Sequence, residues 1–231
     1  MLEAEKGILL FAKYPLPGRV KTRLARTVGN ETAAALYREF LLEELETLTT
    51  MGPLVHLFHD PPGSGPLFRN WLGNAIHYHP QHGSGLGERM HSAFARIFSL
   101  GIRSAVLVGS DLPDLPADHL RTAFALLDTG RPVIGPALDG GYYLIGFTPD
   151  CYDPSVFSDI QWSTPTVYDQ TLRRFAELGL APETTPPWRD VDDIADCRAY
   201  LERSKTTSPA ERLLRRLLQN RPATRLPGNS P

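Results

Sequence analysis

Six residues that could bind phosphate lie close together near the N-terminus. Five of them are cations, and the set is Lys13, Arg19, Lys21, Thr22, Arg23 and Arg26. Crowded cations repel one another unless water or a shared anion surrounds them, and Lys and Arg are common phosphate ligands. Between them, Pro15 and Pro17 restrict the backbone, whereas Gly18 allows it to approach a ligand closely. We predict a phosphate-binding loop; the alternative is a solvated basic turn.

Two apolar runs place this loop and an aspartate at the ends of predicted strands. Residues 8–12 precede the basic loop, and residues 104–109 form the strongest buried-strand pattern of the chain. Asp111 lies at the end of the second run, one residue past Gly109 and Ser110, and could hold Mg²⁺ or Mn²⁺ against a diphosphate, because these hard cations prefer oxygen ligands. The alternative for Asp111 is a turn or helix-capping residue, and for Asp114 that structural alternative is favoured.

A second candidate segment has two glycines directly after an acid. Asp139 could act as a general base or bind substrate hydroxyl groups. Gly140 and Gly141 would let the backbone approach a substrate, with Tyr142 beside them. A hairpin turn that Asp139 stabilises is the alternative explanation. We predict a catalytic role for Asp139 and substrate binding for the three residues that follow it.

A glycine-rich segment leads into a predicted helix at residue 86. Gly87 and Arg89 could contact a nucleotide there, because helix N-termini attract anions and Arg89 adds positive charge. Taken alone this pattern is weak. The nearby His77, His79 and His82 lack the acid or cysteine that a zinc site would need, so histidines at a strand edge are the favoured interpretation.

Acidic residues also precede the last predicted helix of the core. Asp190 or Asp192 could complete the ligand shell of the metal at Asp111. The alternative is that these acids cap the helix and interact with its dipole, which fits Asp193 and Asp196 well.

Composition limits the classes of protein to which the chain can belong. Its 231 residues suffice for one large domain, and a net charge of -2 indicates neither a nucleic-acid nor a membrane partner. Cys151 and Cys197 form neither a metal motif nor a disulfide framework, which favours a reducing, cytoplasmic setting. The apolar run near the N-terminus is too short for a signal peptide or a membrane span.

Strand-like and helix-like patterns alternate along the chain. The predicted strands are residues 8–12, 54–58, 76–79, 104–109, 133–135 and 142–147. The predicted helices are residues 31–48 (capped by Asn30), 86–100, 117–128, 165–178 (capped by Ser163) and 193–203. This alternation predicts an α/β fold with a mostly parallel sheet and helices on both faces. Residues 1–203 would form a single domain, and residues 204–231 a C-terminal helix at 209–219 followed by a disordered tail.

Taken together, these motifs resemble a bacterial family of nucleotide-diphospho-sugar transferases. Its members are also called radical-SAM/selenodomain-associated transferases, and some are described as arsenosugar-biosynthesis glycosyltransferases. The resemblance covers about residues 8–201 and lies in five segments: FAKYPLPGRVKTRL (11–24), GLGERM (85–90), GSDLPDL (109–115), GPALDGGYYLIG (135–146) and DVD (190–192). It implies a Rossmann-like GT-A nucleotide-diphospho-sugar transferase fold.

The resemblance also implies how the site is assembled. The loop after the first strand would bind nucleotide phosphates, Asp111 would bind a divalent metal, and Asp190 and Asp192 would form a second acidic site. The chain looks distantly like molybdenum-cofactor nucleotidyltransferases and phospholactate guanylyltransferase. Nucleotidyltransferases of this fold usually have a glycine-rich first loop, whereas the loop here is rich in proline and basic residues.

Three functions therefore remain as expectations from the sequence. The first is a metal-dependent glycosyltransferase that uses a nucleotide-diphospho-sugar and a small-molecule acceptor. The second is a nucleotidyltransferase that joins a nucleoside triphosphate to a phosphorylated small molecule. The third is a non-catalytic nucleotide-binding protein, against which the set of acidic residues argues.

Overall fold

A single seven-stranded sheet organises the protein. The computed structural model describes residues 5–204 and 207–219. The strands within this part are β1 (Lys6–Lys13), β2 (Leu54–Asp60), β3 (His77–Pro80), β4 (Ser104–Gly109), β5 (Val133–Pro136), β6 (Tyr142–Phe147) and β7 (Glu183–Thr184). Their order is β3-β2-β1-β4-β6-β5-β7, and β6 runs antiparallel to both of its neighbours while the other pairs are parallel.

Helices cover both faces of this sheet. They are α1 (Thr22–Val28), α2 (Asn30–Thr49), α3 (Gly65–Leu72), α4 (Leu86–Ser99), α5 (Ala117–Leu127), α6 (Val167–Glu177), α7 (Ile194–Arg203) and α8 (Pro209–Gln219). Alternate residues of β1 enter different clusters: Leu10 packs with residues of α2, α3 and α5, and Leu9 with residues of α4 and α6. Burial on both faces explains the continuous apolar run. The predicted α/β class with a mostly parallel sheet is confirmed.

The basic segment contains a helix that the sequence analysis missed. Residues 22–28 form α1, so Thr22, Arg23 and Arg26 lie on a helix rather than in a loop. This helix is short and buries only Leu24, which leaves little periodic signal. The prediction that Asn30 caps the next helix is also wrong, because Gly29 is the N-cap of α2.

Two other element boundaries differ from the prediction. The segment rich in proline and glycine continues into α3, which buries Phe68 completely. A proline within the first turn of a helix is well tolerated, so a cluster of such residues can begin a helix instead of excluding one. Ser163 does not cap α6: its φ of 64° is left-handed, and the helix begins at Val167 after Thr166.

The C-terminal helix α8 packs against the rest of the structure. Ala210 and Leu214 are fully buried and share one hydrophobic cluster with Phe40 of α2 and Tyr200 of α7. Glu43 of α2 accepts hydrogen bonds from the Tyr200 hydroxyl at 2.6 Å and from the Ala210 amide at 3.1 Å. The helix bounds match the prediction, whereas residues 220–231, predicted to be disordered, lie outside the described residues. A domain boundary at residue 203 stays a prediction.

No described helix combines the length and the hydrophobicity needed to cross a membrane. Cys151 and Cys197 are both buried and are not joined in a disulfide.

Three imidazoles stack at the β2–β3 edge of the sheet. His56 Nδ1 lies 3.1 Å from His79 Nε2, and the His56 ring stacks on His77 at 4.8 Å between ring centroids. Burial, together with the charge of the neighbouring imidazoles, lowers the pKa of His56 from 6.5 to about 3. Burial and the charges of Arg96, His77 and His59 lower the pKa of His79 to about 4. Both rings are therefore neutral in the folded protein at pH 7.

We expect the buried α8 contacts to contribute to global stability. Replacing Leu214 by Ala should reduce the free energy of unfolding by about 2–5 kcal/mol, because it removes a fully buried side chain and leaves a cavity. Leu217, which is only partly buried on the same helix, is the matched control. Chemical denaturation of both variants measures the difference. Equal, small losses would show that α8 is not part of the cooperative unit.

The histidine stack predicts a loss of stability in mild acid. The unfolded chain binds protons at His56 and His79 near pH 6.5, whereas the folded chain binds them only near pH 3 to 4, so stability falls as pH falls through this window. The His56→Phe variant keeps an aromatic ring but removes one titrating group. Its melting temperature should therefore decrease less than that of the wild type between pH 7 and pH 5. Parallel curves for the two proteins would contradict the assignment.

Candidate functional site

A cleft of about 550 Å³ opens at the carboxyl ends of β1 and β4. The chain runs outward from β1 through β2 to β3 and then returns to β4 on the other side of β1. Ligands of such sheets bind at this reversal of strand order. The register pairs Phe11 with Gly109, so Lys13 and Asp111 both follow it by two residues at one edge. The volume is within the usual range of small-molecule sites.

Two cations in the wall of the cleft have no partner. Lys13 and Arg19 line the cleft, and no hydrogen bond or ion pair involves either side chain within the described part of the chain. Arg23 also lines it and remains 65% exposed, with one nitrogen 3.4 Å from Asp192. Thr22 is a further lining residue. These predicted phosphate-binding residues are therefore accessible to an anion.

Arg89 and Gly87, the two residues predicted on the glycine-rich segment, have different positions. Arg89 lines the cleft and is held by the Gly83 carbonyl at 3.2 Å and by Gln81 at 3.4 Å, with Asp60 at 3.7 Å. Gly87 does not line the cleft.

Gly87 is required for packing instead. A Cβ at this position would lie 2.8 Å from the carbonyl oxygen of Phe157 and 3.1 Å from the ring of Trp162. Gly87 was predicted to contact a nucleotide. In the structure it instead lets α4 approach the segment that includes Phe157 closely. Trp162 is partly buried and packs against the hydrophobic cluster that contains Phe157.

Lys21 behaves unlike the other cations, because its side chain is buried rather than solvated. Its ammonium lies 2.5 Å from Asp111 Oδ1 and 3.2 Å from Asp192 Oδ1, and it donates a 2.5 Å hydrogen bond to the Val191 carbonyl. The side chain is only 2% exposed. Burial lowers the pKa of Lys21, but the two carboxylates outweigh this effect and raise the pKa above 10.5, so the residue is charged at neutral pH. The expectation that Lys21 binds phosphate is not met in this arrangement.

The backbone around Lys21 is also constrained. Lys21 has φ 46° and ψ 47°, a left-handed conformation that is costly for a residue with a side chain. The amide of Val191 donates to the Asp111 carbonyl at 2.9 Å. Side-chain and backbone contacts thus join the start of α1, the end of β4 and the segment before α7.

Helix α2 supplies two residues that sequence reasoning missed. The Tyr37 hydroxyl lies 2.6 Å from Ser110 Oγ and accepts a 3.1 Å hydrogen bond from the Lys13 amide, which links the ends of β1 and β4. Glu44 is fully buried, and its Oε2 lies 3.4 Å from the Leu112 amide. Burial and the nearby charge of Asp111 raise the pKa of Glu44 well above its ordinary value. An acid within the apolar stripe of a helix was the sequence signal for this position.

A second cavity of about 240 Å³ adjoins the cleft and is mainly acidic. Arg23 and Asp192 line both spaces. The second space is also lined by Leu138, Asp139, Arg189, Asp190, Asp193 and Asp196. Burial, followed by the charges of Asp192, Asp139 and Asp111, raises the pKa of Asp190 to about 6. Asp190 lines this second cavity. Among the described residues it forms no ion pair with Lys21, whereas Asp192 does.

The glycine segment forms a turn, which was the alternative explanation. Asp139 Oδ1 accepts the Gly141 amide at 2.9 Å. Gly140 has φ 91°, and a Cβ there would clash with the Pro165 carbonyl oxygen. The Tyr142 hydroxyl points to Met90, with 3.7 Å to its sulfur. Gly140, Gly141 and Tyr142 line neither cavity, so their predicted substrate contacts are not seen, whereas Asp139 lines the acidic one.

Two of the three predicted metal ligands converge on one point. Asp111 and Asp192 both contact Lys21, and no group of three acidic, histidine or cysteine side chains in the described ranges is arranged to hold a metal. Magnesium usually binds through one or two carboxylates together with substrate phosphates and water. The Asp111–Asp192 pair fits such a cation by chemistry and convergence, provided that the Lys21 side chain moves.

Asp114 has the structural role predicted for it, though not as a turn residue. Its two carboxylate oxygens accept hydrogen bonds from Arg203 at 2.9 and 3.3 Å, which fix the end of α7 to the segment after β4. Asp193 caps α7, and Asp196 completes the capping box, as predicted.

Comparison with known proteins gives a family match and a similar solved structure. No curated protein matches significantly. The model of the family DUF2064, described as an uncharacterized protein conserved in bacteria, matches residues 44–164. A crystal structure from Desulfovibrio desulfuricans G20, provisionally named a nucleotide-diphospho-sugar transferase, is 39% identical with a TM-score of 0.88. The alignment covers 94% of this chain and 97% of that one.

More distant structures share the fold alone. The inositol-1-phosphate CTP transferase from T. maritima is 15% identical with a TM-score of 0.52, over 94% of this chain and 98% of that one. A manganese complex of Rv0371c from Mycobacterium tuberculosis H37Rv is 18% identical with a TM-score of 0.52, over 86% of this chain and 98% of that one. These similarities support the expected nucleotide-diphospho-sugar transferase-like architecture.

Asp111 forms an ion pair with the buried ammonium of Lys21. We therefore expect Asp111 to contribute to stability although its own side chain is 42% exposed. Replacing Asp111 by Asn should lower the free energy of unfolding by about 1–3 kcal/mol, because the Lys21 ammonium loses a charged partner. Glu177→Gln, which disrupts an exposed pair with Arg174, should change stability by less than about 0.5 kcal/mol. Urea denaturation compares the two variants. A loss no larger than that of the control would mean that Asp111 is not needed to neutralise Lys21.

Proposed function

We propose a function from one premise: the chain belongs to the bacterial DUF2064 family. In this proposal the protein is a transferase that takes a sugar from a nucleotide-diphospho-sugar and passes it to a small-molecule acceptor. The observation that carries the proposal is the pair of unpartnered cations, Lys13 and Arg19, in the cleft where β1 and β4 end. Cations without counter-ions in a cleft of this size favour a ligand with several negative charges.

The cleft residues take the diphosphate in this mechanism. Lys13, Arg19 and Arg23 neutralise its oxygens, Arg89 adds a further positive charge, and Thr22 offers a hydroxyl group. Charge builds up on the leaving diphosphate as the bond to the sugar breaks. Fixed cations stabilise that charge better than water does, because they need not reorganise during the reaction.

Asp111 and Asp192 are the residues that would hold a divalent cation, Mg²⁺ or Mn²⁺, beside the diphosphate. When bound there, such a cation supplies further neutralisation of the leaving group.

Asp139 is the proposed base toward the acceptor. One of its oxygens is taken by the Gly141 amide, and the other is available in the acidic cavity. The acceptor oxygen would attack the anomeric carbon, the bond from that carbon to the diphosphate would break, and the acceptor proton would pass to Asp139. Asp190, whose pKa of about 6 lies near neutrality, is a second group able to exchange a proton there.

Charge in the second cavity favours glycosyl transfer over nucleotidyl transfer. A nucleotidyltransferase of the type considered would bring a phosphorylated second substrate next to the nucleotide. Five aspartates and only two arginines line the adjoining cavity, and this balance repels a phosphate group. A neutral, hydroxyl-bearing acceptor meets no such barrier.

A ligand panel separates the three candidate functions. Thermal shift would be measured with nucleoside triphosphates and nucleotide-sugars, each with and without Mn²⁺, since a ligand that binds the folded state raises the melting temperature. Stabilisation by nucleotide-sugars, with slow release of nucleoside diphosphate, supports the proposal. Stabilisation by triphosphates alone supports nucleotidyl transfer instead. Binding without any turnover indicates a non-catalytic protein, and no stabilisation at all contradicts nucleotide binding.

Arg19 provides the sharpest single-residue prediction for this function. Arg19→Ala should weaken binding of the stabilising nucleotide by about 1.5–3 kcal/mol, because a charge-assisted contact is lost, and should leave the melting temperature of the free protein unchanged. Arg26 is the matched control, since it is exposed on α1 and does not line the cleft. Titration calorimetry compares the variants. Equal affinities for Arg19→Ala and Arg26→Ala would remove Arg19 from the site.

A further inference from the structure

The convergence point of Asp111 and Asp192 already holds a cation, the ammonium of Lys21. Its contacts are 2.5 Å to Asp111, 3.2 Å to Asp192 and 2.5 Å to the Val191 carbonyl. The ammonium donates hydrogen bonds to the Val191 carbonyl and to Asp192 and forms an ion pair with Asp111, so three acceptors surround its three N–H donors. The Lys21 side chain is only 2% exposed, so a phosphate can bind this ammonium only if its present contacts change.

A divalent cation cannot share this point with the ammonium. Magnesium bound to Asp111 Oδ1 and Asp192 Oδ1 would lie about 2.0–2.1 Å from both oxygens. Lys21 Nζ fills that space, at 2.5 Å from the first oxygen and 3.2 Å from the second. Two cations in contact also repel strongly, and more so where water is excluded. Occupancy by the lysine and occupancy by a metal are therefore alternatives.

We propose that Lys21 is a built-in competitor of the divalent cation, an inference that rests on the proposed function. Without substrate, the ammonium neutralises Asp111 and Asp192 and keeps free metal out. The donor diphosphate offers the ammonium new acceptors in the same cleft, and the carboxylates then become available to a metal. Metal and donor bind together, and neither carboxylate is left without a positive partner at any stage.

The other cations of the cleft show that this role is particular to Lys21. Lys13 lines the same cleft and its side chain has no partner among residues 5–204 and 207–219, whereas Lys21 pairs with two carboxylates and a carbonyl. Lys21 also has a left-handed backbone, φ 46°, which its contacts must hold against an intrinsic preference for other conformations. A residue held by contacts in this way can leave when equivalent contacts are offered nearby.

Binding of Mn²⁺ alone, followed by electron paramagnetic resonance of the free ion, tests the proposal without any assay of activity. Lys21→Met should bind Mn²⁺ about tenfold or more tightly than the wild type, because the competitor is gone. Lys13→Met removes a positive charge from the same cleft and should give a much smaller gain. The double variant Lys21→Met/Asp111→Asn should lose the gain. A Lys21→Met protein that binds Mn²⁺ no better than Lys13→Met overturns the proposal.

A second measurement uses the wild type, in case Lys21→Met does not fold. The buried ammonium of Lys21 can be followed by nitrogen-15 NMR of the lysine side chains. Millimolar Mg²⁺ alone should leave this signal in place, whereas Mg²⁺ with the nucleotide-sugar that gives the largest thermal shift should move it. Displacement by Mg²⁺ alone, or an unmoved signal with both ligands bound, overturns the proposal.

The Mn²⁺ experiment can fail independently of the proposed function. Competition for Asp111 and Asp192 in the Mn²⁺ experiment requires no nucleotide, so it holds even if no nucleotide-sugar stabilises the protein. Conversely, a protein that binds nucleotide-sugars but shows equal Mn²⁺ affinity in Lys21→Met and Lys13→Met keeps the proposed function and loses the competitor.

Discussion

The arrangement of the site depends on one buried charge, the ammonium of Lys21. Moving an ammonium out of water costs several kcal/mol, and only well-placed acceptors offset that cost. Here the acceptors come from the end of β4 and from the segment before α7, which are far apart in sequence from Lys21. If either segment shifted, a buried charge would lose its partner. The start of α1, the end of β4 and the segment before α7 are thus held in one arrangement. The accessible cations Lys13, Arg19 and Arg23 line the same cleft.

Helix α2 gives this geometry a rigid support. Tyr37 connects the ends of β1 and β4, and Glu44, seven residues later on the same helix face, lies against the Leu112 amide. The same helix binds α7 and α8 through Glu43 and Phe40. The C-terminal helix therefore supports, through α2, the wall from which Asp111 projects, although it is remote from the cleft itself.

The sequence was sufficient to predict those features that depend on local pattern. The apolar run of β4 predicted both the strand and the position of Asp111 at its end, and the capping pattern predicted the role of Asp193. The sequence was insufficient where a residue of the same type can be either buried and paired or exposed to solvent. Nothing local distinguishes Lys21, which is buried by partners up to 171 residues away, from Lys13, which remains exposed. Gly87 likewise matches a nucleotide-binding pattern in the sequence. In the structure it packs closely against Phe157, a residue 70 positions away that the local pattern does not indicate.

The two adjoining cavities carry opposite charges, and this contrast would orient a ligand that spans both of them. The larger cleft presents accessible cations, the smaller cavity is mostly carboxylate, and Arg23 and Asp192 stand at the border between them. A donor with a diphosphate at one end and a neutral sugar at the other would be oriented by this contrast before any specific contact with the sugar formed. The bond between the two halves would then lie at the border. Opposite charges in neighbouring cavities can in this way determine which bond of the substrate is broken. The same fold with two cationic pockets would instead align two phosphorylated substrates.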